Sequence, residues 1–414
     1  MTTQSRTSLP FNFDWRSISE RINNPNYYWI TRPLMAFFIT RLIVFVGAYL
    51  AEIAIPGVIG DGYYHVNPNN VLLDVWARWD SSFYINIVER GYWFEVGQQS
   101  AVAFFPLYPL LMSLLKPIVG STLAAGVLVS NLCLLGALIF LYRLTEHEFK
   151  NSATATRAVF YIAAFPTSFF FTAVYTESLF LLTSIGAVYF ARKRIWVWAV
   201  LFGLLCSSTR IVGVLMWGVV GLEWLKSHGW TFSTIHKIDS WKNMLKGLRT
   251  DYLNLAVIFI IPLGLISYMI FLNARFGDPV AFSTTQSAWG REMVGPIAII
   301  IQDIRALGNT NLLSGEIWYH IIFDLGAFFT VLFMAVTIWR RLGESYAIYS
   351  VLSVLIPASS GSQSLIRYIL VIFPVFMLLA HWGRNTYLDR ILMIGFSVFL
   401  GIFTTIFVNW IFIA

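Results

Sequence analysis

Apolar runs leave this chain few folds to choose from. They cover residues 33–55, 121–142, 157–174, 177–192, 195–208, 211–226, 252–273, 318–339, 346–359, 366–382 and 390–412. Within each run the apolar residues are continuous, not alternating, which fits helices and not the strands of a membrane barrel. About 20 such residues cross a bilayer core, fewer where neighbouring protein shields the ends. Only 12% of the residues are charged and the mean hydropathy is +0.69, whereas a soluble domain carries about 25% charged residues. The chain is therefore expected to be an all-α polytopic membrane protein with about eleven transmembrane helices. Its basic, Trp-bearing start lacks an apolar core followed by a small-residue cleavage site, so the first span is read as both signal and anchor.

The net charge of +7 invites a nucleic-acid reading, but its distribution argues for topology instead. Of the 28 Lys and Arg residues, 19 fall in one set of turns, 8 in the opposite set and one, Arg41, inside a span. Such an asymmetry is the positive-inside pattern. The basic set includes the N-terminal segment 1–32, Arg143, Lys150 and Arg157, Arg192 to Arg194, Lys226 to Arg249, Arg340 with Arg341, and Arg384 with Arg390. These turns are assigned to the cytoplasm. The outer set is 56–120, 175–177, 207–210, 274–317 and 360–367. Arg41 lies within the first span, where an unshielded charge costs roughly 2.5–3.5 kcal/mol, and is expected to snorkel to the inner interface. Cys133 and Cys206 sit in apolar runs, which suggests neither a disulfide nor a metal site. A Walker loop, a Rossmann glycine fingerprint and an Asp-x-Asp pair are all absent from the sequence, so a nucleotide is not the expected substrate.

The first outer loop carries the densest chemistry. It holds Asp74, Arg78-Trp79-Asp80, Tyr84, Glu89-Arg90-Gly91-Tyr92 and Phe104-Phe105-Pro106-Leu107-Tyr108-Pro109. Polar groups set among so many rings suit a polar group carried on a lipid. Residues 79–93 place Trp79, Phe83 and Ile87 on one stripe with Asp80, Tyr84 and Val88 beside it, predicting an interfacial helix that Gly91 ends. Phe104 to Pro117 is apolar but interrupted by prolines and reads as a second interfacial or re-entrant helix; residues 293–308 look similar. The four short runs between 157 and 226 are expected to leave a wet outer cavity where non-helical backbone is tolerated, with Glu177 and Arg210 at their outer turns. Asp324, inside the eighth run, is expected to face that cavity or bond a neighbouring helix.

With Arg78-Trp79-Asp80, Tyr84, Gly91-Tyr92 and the Phe104–Pro109 segment in view, the loop resembles the signature of the PIG-V family. These are mannosyltransferases of glycosylphosphatidylinositol anchor assembly and their bacterial relatives. Phe165-Pro166, Tyr175-Thr176-Glu177, Arg210, Gly277-Asp278-Pro279 leading to Gln286 and Trp289, and Arg367 seven residues before Pro374 follow in matching order. The resemblance implies a GT-C glycosyltransferase fold, one transmembrane domain over 33–412 with 56–120 as its catalytic loop and two juxtamembrane helices there. It implies mannose drawn from polyprenyl-phosphate-mannose on the outer or lumenal face, with no metal or cofactor and an acceptor glycolipid or glycan not identified. Because the chain ends at Ala414 without a dilysine-type tail, the reading favours a bacterial plasma-membrane relative, or the endoplasmic reticulum if eukaryotic. A small membrane subunit is a further possible partner.

Such a transfer needs a base for the acceptor proton, a cation for the departing phosphate and a groove for the prenyl chain. Asp80 is the first choice as base, with an N-cap as its structural alternative; Asp74 is the reserve, or else a partner for Arg78. Arg367 and then Arg210 are the phosphate ligands, unless they only snorkel to ordinary lipid headgroups. Arg78 orients Asp80 or touches the acceptor. Tyr84, Glu177, Gln286 and Trp289 are assigned to the substrate, with an interfacial anchor as the alternative for Trp289. A lipid-linked sugar flippase, or a related transferase using another prenyl-linked sugar, remains a competing reading.

Overall fold

The computed structural model describes residues 23–55, 64–309 and 319–413; most of the N-terminal segment and the start of the first outer loop lie outside them. All regular structure in the described residues is helical. The elements that matter for the site are α1 (Tyr28–Ala54), α2 (Ser81–Arg90), α3 (Leu107–Val119), α4 (Thr122–Phe149), α5 (Ser152–Ala164) and α6 (Glu177–Arg192). They are followed by α7 (Trp196–Ser207), α8 (Leu215–Ser227), α9 (Ile238–Thr250), α10 (Tyr252–Phe276), α11 (Pro296–Asn309) and α12 (Tyr319–Arg341). The last four are α13 (Glu344–Ala358), α14 (Leu365–Tyr368), α15 (Phe373–Trp382) and α16 (Thr386–Val408).

Five of the helices in the described residues are long and apolar enough to span a membrane, and the bent pair α14–α15 would make a sixth. The remaining expected runs form shorter helices. Length alone separates the two groups, and burial explains the difference: α6 is enclosed almost throughout. A helix surrounded by protein can stop early because its loose backbone ends meet protein groups instead of lipid.

Two expected spans are not single helices. The run 157–174 stops at Ala164, ahead of Phe165-Pro166, and continues as a 3-10 turn over Ser168–Phe171. A residue preceding proline disfavours helical backbone, and the proline itself lacks an N–H. The run 366–382 bends by 78° between α14 and α15, with Pro374 in the first turn of α15.

Arg41 corrects a second expectation. Instead of snorkelling it is buried at 3% exposure and donates to the carbonyls of Ala163 (2.9 Å) and Ser168 (2.8 Å) and to the hydroxyls of Ser168 and Thr172. These carbonyls are stranded by the break after α5, and a five-donor guanidinium can satisfy several at once. The charge sits where the backbone needs it.

The two helices expected in the first outer loop are present. α2 ends at Gly91, whose φ of 85° is accessible to glycine. In α3 Tyr108, Pro109 and Met112 are buried, while Leu110, Leu114 and Ile118 form an exposed stripe at helical spacing. The pair Glu89–Lys116 (2.8 Å) joins the two helices, and Thr122 at the start of α4 also donates to Glu89. The amphipathic helix expected near 293–308 is α11.

Candidate active site

The five turns assigned to one side of the bilayer each send a residue to one cavity. Asp80, Tyr175, Arg210, Gln286 and Gln363, one from each turn, line a single cavity of about 780 Å³. Its wall is rich in rings: Phe83, Phe104 and Trp289 form one cluster, with ring centroids 4.6–6.2 Å apart.

A chain of charges runs through this wall. Arg367 Nη1 lies 3.3 Å from Asp80 Oδ2, and Arg367 Nε lies 3.4 Å from Glu177 Oε1. The same Glu177 oxygen accepts from Arg210 Nη2 at 2.5 Å, while Arg210 Nε donates to Thr176 Oγ1 at 2.7 Å. Asp80 keeps a third of its side chain exposed, whereas Glu177 is fully enclosed. Glu177 therefore stands behind the wall as a counter-charge and does not contact the cavity. Arg367 is further held by the faces of Phe170, Tyr175 and Tyr368, 5.3–5.4 Å from its guanidinium carbon, an arrangement favourable for a desolvated cation.

The backbone around Asp80 is tightly specified. Trp79 adopts φ 55°, a costly conformation for a bulky residue. It persists because its ring packs against Trp410 and Phe412 and because Tyr175 spans the turn. The Tyr175 hydroxyl donates to Arg78 O (3.1 Å) and accepts from Asp80 N–H (3.1 Å). Of the five non-glycine residues in the left-handed region among the described residues, Trp79, Ser364 and Trp410 line the cavity. Strain of this kind concentrates where side-chain placement matters for function. Asp80 stands at the N-cap position of α2 but makes no side-chain capping bond, so its carboxylate is free to face the cavity.

Asp74 and Arg78 are displaced from the roles proposed for them. Arg78 is wholly buried and donates to Asp74 O, Asp74 Oδ2, Glu52 Oε2 and Val408 O. Asp74, 2% exposed, also accepts from Asn67 N–H and sits 2.6 Å from His65. Burial pushes its pKa up, but those bonds and the guanidinium outweigh it and hold the carboxyl below its ordinary value. Neither residue lines the cavity. They clamp the loop to α1 and the end of α16, so Asp74 is not available as a reserve base. Tyr84 does line the cavity, and burial raises its phenol well above the usual range, leaving a neutral donor.

Gln286 and Trp289 lie on the wall at the 3-10 turn Thr285–Trp289. Arg291, which sequence reasoning passed over, joins them, while Asp324, expected to face the cavity or bond a neighbouring helix, takes the second role behind the wall. Asp324 accepts from the backbone N–H groups of Ser364 (3.2 Å) and Ile366 (2.8 Å), fixing the short helix that presents Arg367. Asp324→Ala is expected to leave these buried donors unmet at about 1–3 kcal/mol each. A thermal melt in detergent, with the variant several degrees lower, checks this; an unchanged midpoint would contradict it.

Comparison with known proteins places the chain in a family. The family model described as mannosyltransferase (PIG-V) matches residues 60–304. The chain is 32% identical over 191 residues to GPI mannosyltransferase 2 of Yarrowia lipolytica (strain CLIB 122 / E 150), covering 45% of this chain and 51% of that protein. It is 27% identical over 218 residues to GPI alpha-1,6-mannosyltransferase 2 of Mus musculus, covering 49% and 41%. The chain thus spans about half the length of the curated relatives it matches. The matched region takes in the first outer loop, Glu177, Arg210 and the segment from Gln286 to Arg291, and runs over more than half of the 414 residues. This multi-pass membrane protein belongs to the PIG-V mannosyltransferase family.

Proposed function

We propose that the protein transfers mannose from polyprenyl-phosphate-mannose to a hydroxyl of a lipid-linked or extracytoplasmic acceptor, with inversion and with Asp80 as general base. The observation that carries this reading is the ion pair of a partly exposed carboxylate, Asp80, with a buried arginine on the wall of one membrane-adjacent cavity. The acceptor oxygen forms its bond to the anomeric carbon as the bond from that carbon to the phosphate oxygen breaks. Its proton passes to Asp80, and the bonding electrons leave with the phosphate. A single exposed carboxylate suits one direct displacement, which inverts the anomeric centre. Guanidinium groups meet the charge that develops on the leaving phosphate, and the aromatic wall holds the sugar in line. Residues 56–120 then act as the catalytic loop, with Tyr84, Gln286 and Trp289 as sugar contacts. The positive-inside pattern supports a cavity open on the extracytoplasmic face.

Purified protein in nanodiscs, given radiolabelled polyprenyl-phosphate-mannose and a lipid extract, is expected to form a mannosylated product. Movement of the labelled lipid between leaflets without any transfer would support the flippase reading instead.

A further inference from the structure

Arg210 and Arg367 are already engaged with carboxylates, which raises the question of which group receives the charge of an incoming phosphate. Three guanidinium groups line the cavity, those of Arg210, Arg291 and Arg367, whereas Asp80 is the carboxylate on the wall among the described residues. Glu177, directly behind, supplies a second negative charge shared by Arg210 and Arg367. Asp324, one layer further in, is taken up by two backbone amides. Among the described residues Arg291 has no ion pair of its own. Its Nη1 reaches only the neutral amide oxygen of Gln286, at 3.5 Å, and its buried Nε has no hydrogen-bond partner. An enclosed, unmet N–H on a cation is expensive and asks for an acceptor.

The local fold delivers this residue deliberately. Gly290, at φ 68°, ends the 3-10 turn in the left-handed region, and the Arg291 N–H returns to Gln286 O. The following residues are pinned by Val294 and Gly295 N–H donating to Ser359 O. Between these two anchors the aliphatic part of Arg291 lies beside Gly361. Arg291 also stands within electrostatic reach of Tyr368, as do Arg367 and Arg210.

We infer that Arg291 is the primary ligand for the donor phosphate, and that Arg367 serves the product phosphate once Asp80 is protonated. This rests on the mannosyl-transfer reading and follows from charge balance. A prenyl-phosphate sugar is a phosphodiester with one negative charge, which the otherwise uncompensated Arg291 matches. During transfer the acceptor proton neutralises Asp80, and its ion pair with Arg367 dissolves. The leaving phosphate has meanwhile become a monoester, which carries about −1.5 to −2 at pH 7. Arg367, released from Asp80, meets that added charge. The cavity stays close to neutral on both sides of the reaction, so no step leaves an unpaired charge in a low-dielectric site. Arg210 remains bound to Glu177 throughout and acts as a positioning residue.

The test uses the full chain in nanodiscs, with polyprenyl-phosphate-mannose and mannose-free polyprenyl phosphate as probes. Arg291→Gln is expected to weaken donor binding about 10- to 100-fold, the scale of a lost charge-assisted hydrogen bond. Arg291→Lys should lose less, because the charge survives without the fork. Thermal melts of both variants identify any loss that comes from misfolding. Asp80→Asn imitates the protonated acid and is expected to bind polyprenyl phosphate more tightly than wild type. Wild-type donor affinity in a folded, transferring Arg291→Gln enzyme would overturn the assignment of Arg291. Unchanged or weaker product binding in Asp80→Asn would overturn the handover to Arg367. If wild type transfers no mannose while Arg291→Gln still loses polyprenyl phosphate, the transfer reading fails and Arg291 stands as a phosphate ligand.

Discussion

Asp80→Asn is expected to lower mannosyl transfer by about 10²–10⁴-fold, the range a positioned general base contributes, with the protein still folded and still binding donor. Folding should survive for two reasons. The Asp80 side chain is one-third exposed and makes a single 3.3 Å ion pair, and the buried Arg367 keeps Glu177 as a counter-charge when that pair is lost. The turn that holds it depends on the Asp80 backbone N–H and Tyr175, not on the carboxylate. Steady-state transfer measured beside donor binding separates the two effects. A variant with near-normal turnover would remove Asp80 from the chemistry, and one with lost donor binding would make it a substrate ligand.

Glu177→Gln is expected to have the largest effect on stability, about 3–5 kcal/mol, the usual consequence of removing one partner from a buried ion pair. Its carboxylate is fully enclosed and faces two guanidinium groups, at 2.5 Å from Arg210 and 3.4 Å from Arg367. The amide keeps the shape but leaves Arg210 without its counter-charge and Arg367 with Asp80 alone, and it drops activity by misplacing Arg367. A thermal melt in detergent, compared with the Asp80→Asn variant, checks this. Equal melting points for the two variants would show that the charge behind the wall does not hold the site together.

Much of the scaffold was legible because helix period and charge asymmetry are local properties of the chain. The apolar runs mark the helices, Gly91 marks the end of α2, and the distribution of Lys and Arg groups five turns that indeed meet at one cavity. Periodicity could not foresee where helices break when the replacement bonds come from elsewhere. The stretch after Ala164 is tolerated because Arg41, over 120 residues earlier, supplies donors to its carbonyls. The insertion cost of Arg41 described an isolated helix, and in the folded chain that helix has partners. The same limit applies to the site. Asp80 could be singled out from its motif, but its pairing with Arg367, 287 residues away, is a product of packing. Arg78 shows the converse: a residue beside Asp80 in sequence turns away and locks onto Asp74 and Glu52. Adjacency along the chain was no guide to adjacency in the cavity. Arg291 carried no motif at all, and what distinguishes it from Arg210 and Arg367 is its lack of a carboxylate partner among the described residues, set against the charge count of the wall.

The most direct test of the central claim is a cryo-electron microscopy map of Asp80→Asn in nanodiscs with polyprenyl-phosphate-mannose bound. The phosphate is predicted between Arg291 and Arg367, with the anomeric carbon beside the side chain at position 80 and the prenyl chain leaving the cavity towards lipid. A phosphate held at the basic turns around Arg143 and Lys193, or a sugar lodged away from position 80, would contradict the account.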